Sequence, residues 1–533
     1  MNNHLSLREK IGQLFVIGFA GTEISGEIIE MIEKVKIGSV CLFPRNIESP
    51  EQVLKLTSDL QTAAKENGHH LPLLISIDQE NGIVRRLKRG VTELPGSMLL
   101  GAVDNLEATY QVGKITAQEL KALGVNMNLA PVLDVNNNPN NPVIGVRSFG
   151  ENPEKVAEHG KAFVEGHHEV GVITSAKHFP GHGDTAIDSH KGMPTIEYSL
   201  EHLHKTELFP FSEVLKADTD TVLTGHLHFS ELDSKHSIPA SVSKNVTTGL
   251  LREKMGFQGV VITDSLEMDA VADSFGTVEG ALQALKAGAD LLIFSHTRSL
   301  QKEGLDRFEQ AVRQGEVSEE VIDRAVSRVW NLKQKYLSWD DCSNQTQVPS
   351  LVGSKKHKDF AQLQYNRGVT VISGKEEIPL SLNSKETILT ISITGDSKTG
   401  VEEEQGSEPL LSQKVSVYHK NVMKKEIDLE PNQNTIHDIC KEADKADVII
   451  VGTNNAYRFR QQIDLVNELE KLKKNLIVIA LRNPFDFMCF PEVPVFITSY
   501  EPTDAAVQSS VDILFGKLNA RGKLPVTMPN NRE

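Results

Sequence analysis

The feature that most constrains this chain is a series of eight short apolar runs within its first 300 residues, alternating with segments of helical periodicity. The runs are LFVIGF (14–19), GSVCLF (38–43), LLISI (73–77), NLAPVL (128–133), GVITSA (171–176), TVLTG (221–225), GVVIT (259–263) and LLIF (291–294). Each is strand-length and rich in branched residues. Patterns such as SPEQVLKLTSDLQTAAKE (49–66) lie between them. Buried parallel strands read this way, because helices cover both faces of the sheet. Eight such units in succession predict an α/β chain that opens with a TIM-like (β/α)8 barrel. An open doubly wound sheet would not need eight consecutive repeats.

At 533 residues the chain exceeds one typical domain. After about residue 335 the texture changes, and QKYLSWDDCSNQTQVPSLVGSKKHK (334–358) is polar and irregular. Further apolar runs follow at GVTVIS (368–373), TILTISIT (387–394), ADVIIVGT (446–453), LIVIAL (476–481) and VFITSY (495–500). The expected organisation is a barrel domain over 1–338, a linker over 339–358 and a second α/β domain over 359–533. Residues 398–409, TGVEEEQGSEP and its preceding lysine, read as a flexible loop.

Net charge is -16, which argues against nucleic acid and anionic membrane as partners, since both demand a basic face. The four cysteines (Cys41, Cys342, Cys440 and Cys489) form no CxxC or CxH pattern. That spacing supports neither a zinc knuckle nor a disulfide framework and fits a reducing compartment. The start, MNNHLSLREKIGQLF, has no basic region leading into an apolar one, and no apolar run reaches membrane-spanning length. The expected setting is cytoplasmic; oligomeric state is not legible.

Polar residues collect where the early runs end: Asp78-Gln79-Glu80, Asp134, Lys177-His178, His226 and Asp264-Ser265. In a barrel this is the face built from the βα loops, where active sites sit. A single aspartate there is commonly a helix N-cap. Five strand ends carrying such residues together point to a site. Over the same face hangs KHFPGHGDTAIDSH (177–190), with three histidines, two aspartates and a lysine. A metal reading takes His178, His182, Asp184 and His190 as ligands, but Lys177 would repel a cation and no carboxylate-rich partner segment occurs elsewhere. A structural reading has the side chains bond only to backbone. A third reading is proton chemistry. Asp188 and His190 are two residues apart, so in an extended segment both project to one side. The carboxylate then fixes the tautomer of the imidazole, which can give a proton and later take one. Asp264, on a rigid strand end, is the candidate nucleophile opposite.

IDQENGIVRRL (77–87), NPVIGVRSFG (141–150), KHFPGHGDTAIDSH (177–190) and VITDSLEMDA (261–270) together resemble glycoside hydrolase family 3, in its β-N-acetylglucosaminidase branch. LRNPFDFMCFP (481–491) and FGKLNARGKLPVTMP (515–529) resemble the C-terminal αβα sandwich of that family. The resemblance implies a retaining hydrolase that removes terminal non-reducing β-linked N-acetylglucosamine from GlcNAc glycosides such as muropeptides. It also implies that no metal or cofactor is used. By the same resemblance Asp264 is the nucleophile, His190 the acid/base and Asp188 its orienting partner. Asp78, Arg86, Arg147, Lys177 and His178 match positions that hold the sugar. Asn81 stands where the family pattern has a glycine, a change that asparagine's tolerance of positive φ makes small. A phosphorylase using the same residues stays open, because a neutral or cationic imidazole does not repel phosphate. So do a metal-dependent hydrolase and a non-catalytic sugar-binding protein.

Overall fold

The computed structural model describes residues 5–188, 192–217, 219–233, 237–342, 347–395 and 410–528. His190 and the loop expected at 398–409 lie outside the described residues.

All eight runs become strands of one closed parallel barrel. They are β1 (Phe15–Ile17), β2 (Ser39–Leu42), β3 (Leu74–Ile77), β4 (Met127–Asn128), β5 (Ile173–Phe179), β6 (Thr221–Thr224), β7 (Val260–Ser265) and β8 (Leu291–Phe294). Neighbours follow chain order, and β1 closes the ring by pairing with β8. The fourth strand is shorter than its apolar run and starts one residue earlier. Pro131 interrupts it, having no N–H to give a ladder. The chain still tracks β5, through Ser175 N–H to Ala130 O at 2.9 Å and Lys177 N–H to Pro131 O at 3.1 Å.

The helices obey local rules that place the loops between them and the strands. In Pro50–Glu66, Ser49 accepts the N–H of Gln52, Pro50 occupies the first turn, and Val53, Leu56, Leu60 and Ala64 fall on the buried face. Pro153–Val170 is capped by Asn152 and stopped by Gly171 at φ +79°. Aromatic packing fills the space between β1, β8 and the helix Arg298–Arg313, with Phe15 stacked on Phe294 at 4.7 Å and edge-on to Phe308 at 5.3 Å.

The second sheet has six strands: β9 (Thr370–Ser373), β10 (Ile388–Thr394), β11 (Val422–Asp428), β12 (Val448–Thr453), β13 (Asn475–Ala480) and β14 (Val495–Thr498). Their order is β9-β14-β13-β12-β10-β11, with β9 antiparallel to β14 and the other pairs parallel. Alternate residues feed two separate cores. Leu389, Ile391, Ile449 and Val451 face one, and Ile388, Ile450, Ile477 and Ile479 face the other. A sheet with apolar packing on both faces is the middle layer of an αβα sandwich. A third apolar cluster joins the two units: Leu99, Val146 and Phe149 pack with Tyr365, Phe485, Tyr500 and Val526. Among the described residues no helix is long and apolar enough to cross a membrane.

Candidate active site

At the C-terminal ends of the barrel strands lies a cavity of about 370 Å³, lined by Asp78, Arg86, Arg147, Lys177, His178 and Asp264 among others. A groove of similar size, about 390 Å³, opens at the other end of the barrel beside Trp339 and Lys65. The chemistry selects the first, because only there do carboxylates, guanidinium groups and imidazole converge on the face that barrels use for catalysis.

One wall is an ion network. β3 ends at Ile77, and the chain continues through Asp78 into a small hairpin, Gln79–Asn81 against Val84–Arg85. Side chains alternate along a strand, so Asp78 and Glu80 share a side. Lys177, from the end of β5, lies between them, donating from Nζ to Asp78 Oδ1 at 2.8 Å and 2.6 Å from Glu80 Oε1. Arg147 grips Glu80 with two parallel bonds, Nε to Oε2 and Nη2 to Oε1, both 2.8 Å. Arg86 Nη2 is 3.5 Å from the other oxygen of Asp78. Burial alone would raise the Glu80 pKa, but Arg147 and Lys177 outweigh it and hold the carboxyl well below the usual carboxylate range. Burial opposes the charge on Lys177, and Asp78 and Glu80 overcome it, so its pKa is raised. Asn81 takes φ +72° and donates to Thr116 Oγ1 at 2.9 Å, so it accommodates the turn that the family pattern assigns to glycine.

His178 is oriented from behind. Its Nδ1 lies 2.7 Å from Asp134 Oδ2, and Arg147 Nη2 lies 3.3 Å from its Nε2. Arginine only donates, so Nε2 accepts and Nδ1 carries the proton that bonds to Asp134. Burial works to raise the Asp134 pKa, but His178 and the His182 backbone N–H bring it below the ordinary value. Asp264, near the end of β7, lines the same cavity and accepts the Ser265 N–H at 2.7 Å. The facing wall contains Phe43, Arg45, Met268 and His296. Arg45 Nε donates to Phe19 O at 2.8 Å and its Nη1 meets His296 Nδ1 at 2.8 Å. Cys41, buried on β2, has its thiol pushed up to about 12 by burial and by the nearby charge of Asp78.

The structure thus brings together Asp78, Arg86, Arg147, Lys177, His178 and Asp264. Asp188 is buried within the loop after β5, and His190 lies outside the described residues. Of the candidate metal ligands of that loop, the three described ones are each engaged by the protein. His178 bonds to Asp134, His182 Nδ1 meets Thr185 Oγ1 at 2.8 Å, and Asp184 accepts from Tyr198 at 2.6 Å. His226 is fully buried between Ser241 and the Ser265 carbonyl. Asn46 is spent on the carbonyls of Phe19 and Gly21. Two important residues were not assigned from sequence. Glu80 was legible in principle, since it alternates with Asp78. The partnership of Asp134 with His178 spans 44 residues and has no local signature.

Glu80 is 5% exposed and Arg147 3%. Removing one partner of such a pair leaves an uncompensated buried charge, at a cost of about 3–5 kcal/mol. Glu80→Gln is therefore expected to lower unfolding stability by roughly that amount, read by urea denaturation; a loss under about 1 kcal/mol would contradict the network.

Residues 6–332 match the family model for the glycosyl hydrolase family 3 N terminal domain, and residues 374–533 match that for the family's C-terminal domain. A beta-hexosaminidase A of Pseudoalteromonas piscicida is 29% identical over 96% of this chain and 92% of its own length. The structure of a glycoside hydrolase family 3 beta-N-acetylglucosaminidase from Paenibacillus sp. str. FPU-7 superposes with TM-score 0.93 at 38% identity, covering 98% of this chain and 99% of that one. A fungal multi-domain beta-N-acetylglucosaminidase of the same family gives TM-score 0.92 at 40% identity; this chain is covered over 98% of its length and spans 61% of that longer protein. From its barrel, its second sheet and the two matching domain models, this chain belongs to glycosyl hydrolase family 3.

Proposed function

We propose that the protein is a retaining, exo-acting β-N-acetylglucosaminidase that hydrolyses terminal non-reducing β-linked N-acetylglucosamine, with peptidoglycan fragments as its source. The observation that carries this reading is a single cavity holding Asp264 on a rigid strand end beside the Asp78, Lys177, Arg147 and His178 network. The beta-N-acetylglucosaminidases and beta-hexosaminidase to which the chain is similar support the choice of sugar.

In the proposed reaction Asp78 accepts hydrogen bonds from hydroxyls of the sugar, while Lys177, Arg86 and Arg147 donate to its oxygens. Asp264 attacks the anomeric carbon as the glycosidic bond breaks, giving a glycosyl-Asp264 ester. His190, held by Asp188, gives its proton to the departing oxygen. It then takes one from the water that hydrolyses the ester, so configuration is retained. A histidine in place of the usual second carboxylate is neutral or positive, and tolerates an anionic leaving group such as a lactyl-bearing muramic acid. The reading extends to a cytoplasmic setting, where a reducing environment keeps thiols such as the four free cysteines unpaired.

Turnover of 4-nitrophenyl β-N-acetylglucosaminide and of the matching β-glucoside, with phosphate varied, tests this. The expected result is preference for the N-acetyl substrate, free N-acetylglucosamine as product and no dependence on phosphate. Preference for the glucoside would overturn the sugar assignment. N-acetylglucosamine 1-phosphate formed only with phosphate would make the enzyme a phosphorylase.

A further inference from the structure

A turn of the second domain reaches the support of the sugar site. After β14 the chain runs Ser499-Tyr500-Glu501 into the helix Asp504–Leu514. Tyr500 is buried with φ +65°, a conformation that a bulky residue adopts only where its surroundings hold it. Those surroundings are explicit: the Tyr500 hydroxyl is 2.8 Å from Thr370 Oγ1, and Ser499 Oγ donates to Glu501 O at 3.2 Å. The turn directs the Glu501 carboxyl out of its own sheet and into the barrel unit. There Oε1 accepts the N–H of Gly96 at 3.0 Å, while Oε2 accepts the hydroxyl of Tyr365, from the second domain's own first helix, at 3.3 Å.

Gly96 is more than a donor. A β-carbon on Gly96 would lie 2.9 Å from the Gly82 Cα, and one on Gly82 would lie 2.8 Å from the Gly96 Cα, so the two backbones rest directly on each other. Gly82 N–H also donates to Leu94 O at 3.2 Å. Gly82 lies in the turn of the hairpin that follows Asp78 and contains Glu80, the carboxylate that fixes Arg147 and Lys177. A narrow void of about 10 Å³, close to the size of one water, is bounded by Glu80, Arg147, Gly82, Gly96, Tyr500 and Glu501. Burial lifts the Glu501 pKa to about 8 against the pull of the Gly96 N–H and Arg85.

We propose that Glu501 is a positioning residue for the sugar site: by holding Gly96 it seats the hairpin of Asp78 and Glu80, and through Glu80 it sets Arg147 and Lys177. The second domain is thereby a working part of the barrel's active site. This rests on the proposed sugar reading and assigns to the second domain the role of fixing sugar affinity.

The test compares Glu501→Leu, Glu501→Gln and Tyr365→Phe with the unmodified protein on 4-nitrophenyl β-N-acetylglucosaminide, with melting temperatures measured alongside. Glutamine keeps an acceptor for Gly96 and the shape of the carboxyl group. The expected result is a fall in kcat/KM of tenfold or more for Glu501→Leu, carried mainly by KM, with Glu501→Gln within twofold of the unmodified protein. If Glu501→Leu retains kcat/KM within twofold, or if Glu501→Gln falls as far, the positioning role is overturned. Should Glu501→Leu not fold, Tyr365→Phe decides: a threefold or larger rise in KM at unchanged melting temperature supports the role, and an unchanged KM overturns it. An unmodified protein inactive on this substrate would overturn the sugar reading itself. An active one indifferent to Glu501→Leu would overturn only the positioning role.

Discussion

Asp264→Ala is expected to lower kcat on N-acetylglucosaminides by about four to six orders of magnitude, the scale seen when a covalent nucleophile is removed. At 1.36 kcal/mol per factor of ten, that is about 5–8 kcal/mol of transition-state stabilisation. Fold stability should change little. Asp264 lies near the C-terminal end of β7, where the strand passes from fully buried residues (Val260 to Thr263) to half-buried ones. Truncating it opens no hole in the packed core below. The measurement is steady-state kcat alongside a thermal melt. Retention of more than about 1% of wild-type kcat, well above what loss of a covalent nucleophile allows, would remove Asp264 from the nucleophile's role. A collapse of the melting temperature would mean the residue is structural.

His190→Ala is expected to divide substrates by their leaving groups. A disaccharide must have its departing oxygen protonated, and loss of general acid catalysis there costs about 10²–10⁴-fold. A 2,4-dinitrophenolate departs unaided, so the glycosylation step on that substrate should stay close to wild type. Water must still attack the ester without a base, so the intermediate accumulates. The visible sign is a burst of dinitrophenolate followed by slow turnover, with KM lowered together with kcat. Equal losses in kcat/KM for the disaccharide and the dinitrophenyl glycoside would contradict the assignment of proton transfer to His190. Asp188→Asn should shift both measurements in the same direction and by less, because it removes the orienting charge but leaves the imidazole in place.

How much of this was legible in the sequence depended on range. Strands buried on both faces advertise themselves as uninterrupted apolar runs, so all eight barrel strands could be read, although β4 (Met127–Asn128) covers little of its run and β5 and β7 extend beyond theirs to Phe179 and Ser265. Asp78, Lys177 and Asp264 could be placed at the mouth because a parallel barrel puts every strand's C-terminal end on one face. What one strand end does for another was not legible. Glu80 reads as one more polar residue until Arg147 arrives 67 positions later to bind both its oxygens. Asp134 reads as a helix cap until His178 folds onto it. Glu501 is the extreme case, meeting Gly96 across 405 residues. Nothing in SYEPTD signals that its carboxyl enters the other domain. The turn that sends it there depends on Tyr500 holding a left-handed conformation, which sequence patterns assign to glycine or asparagine rather than tyrosine.

The claim on which the rest depends is a covalent bond between the sugar and Asp264. It can be observed directly with a 5-fluoro N-acetylglucosaminyl fluoride, whose leaving group favours formation of the ester while the ring fluorine slows its hydrolysis. Intact-mass spectrometry followed by peptide mapping should show one added glycosyl unit, located on Asp264 within the peptide containing VITDSLEMDA, and restored activity as the adduct decays. Continued turnover with no adduct would point to attack by the substrate's own acetamido group, as in substrate-assisted glycosidases. That result, or an adduct on any other residue, would contradict the mechanism.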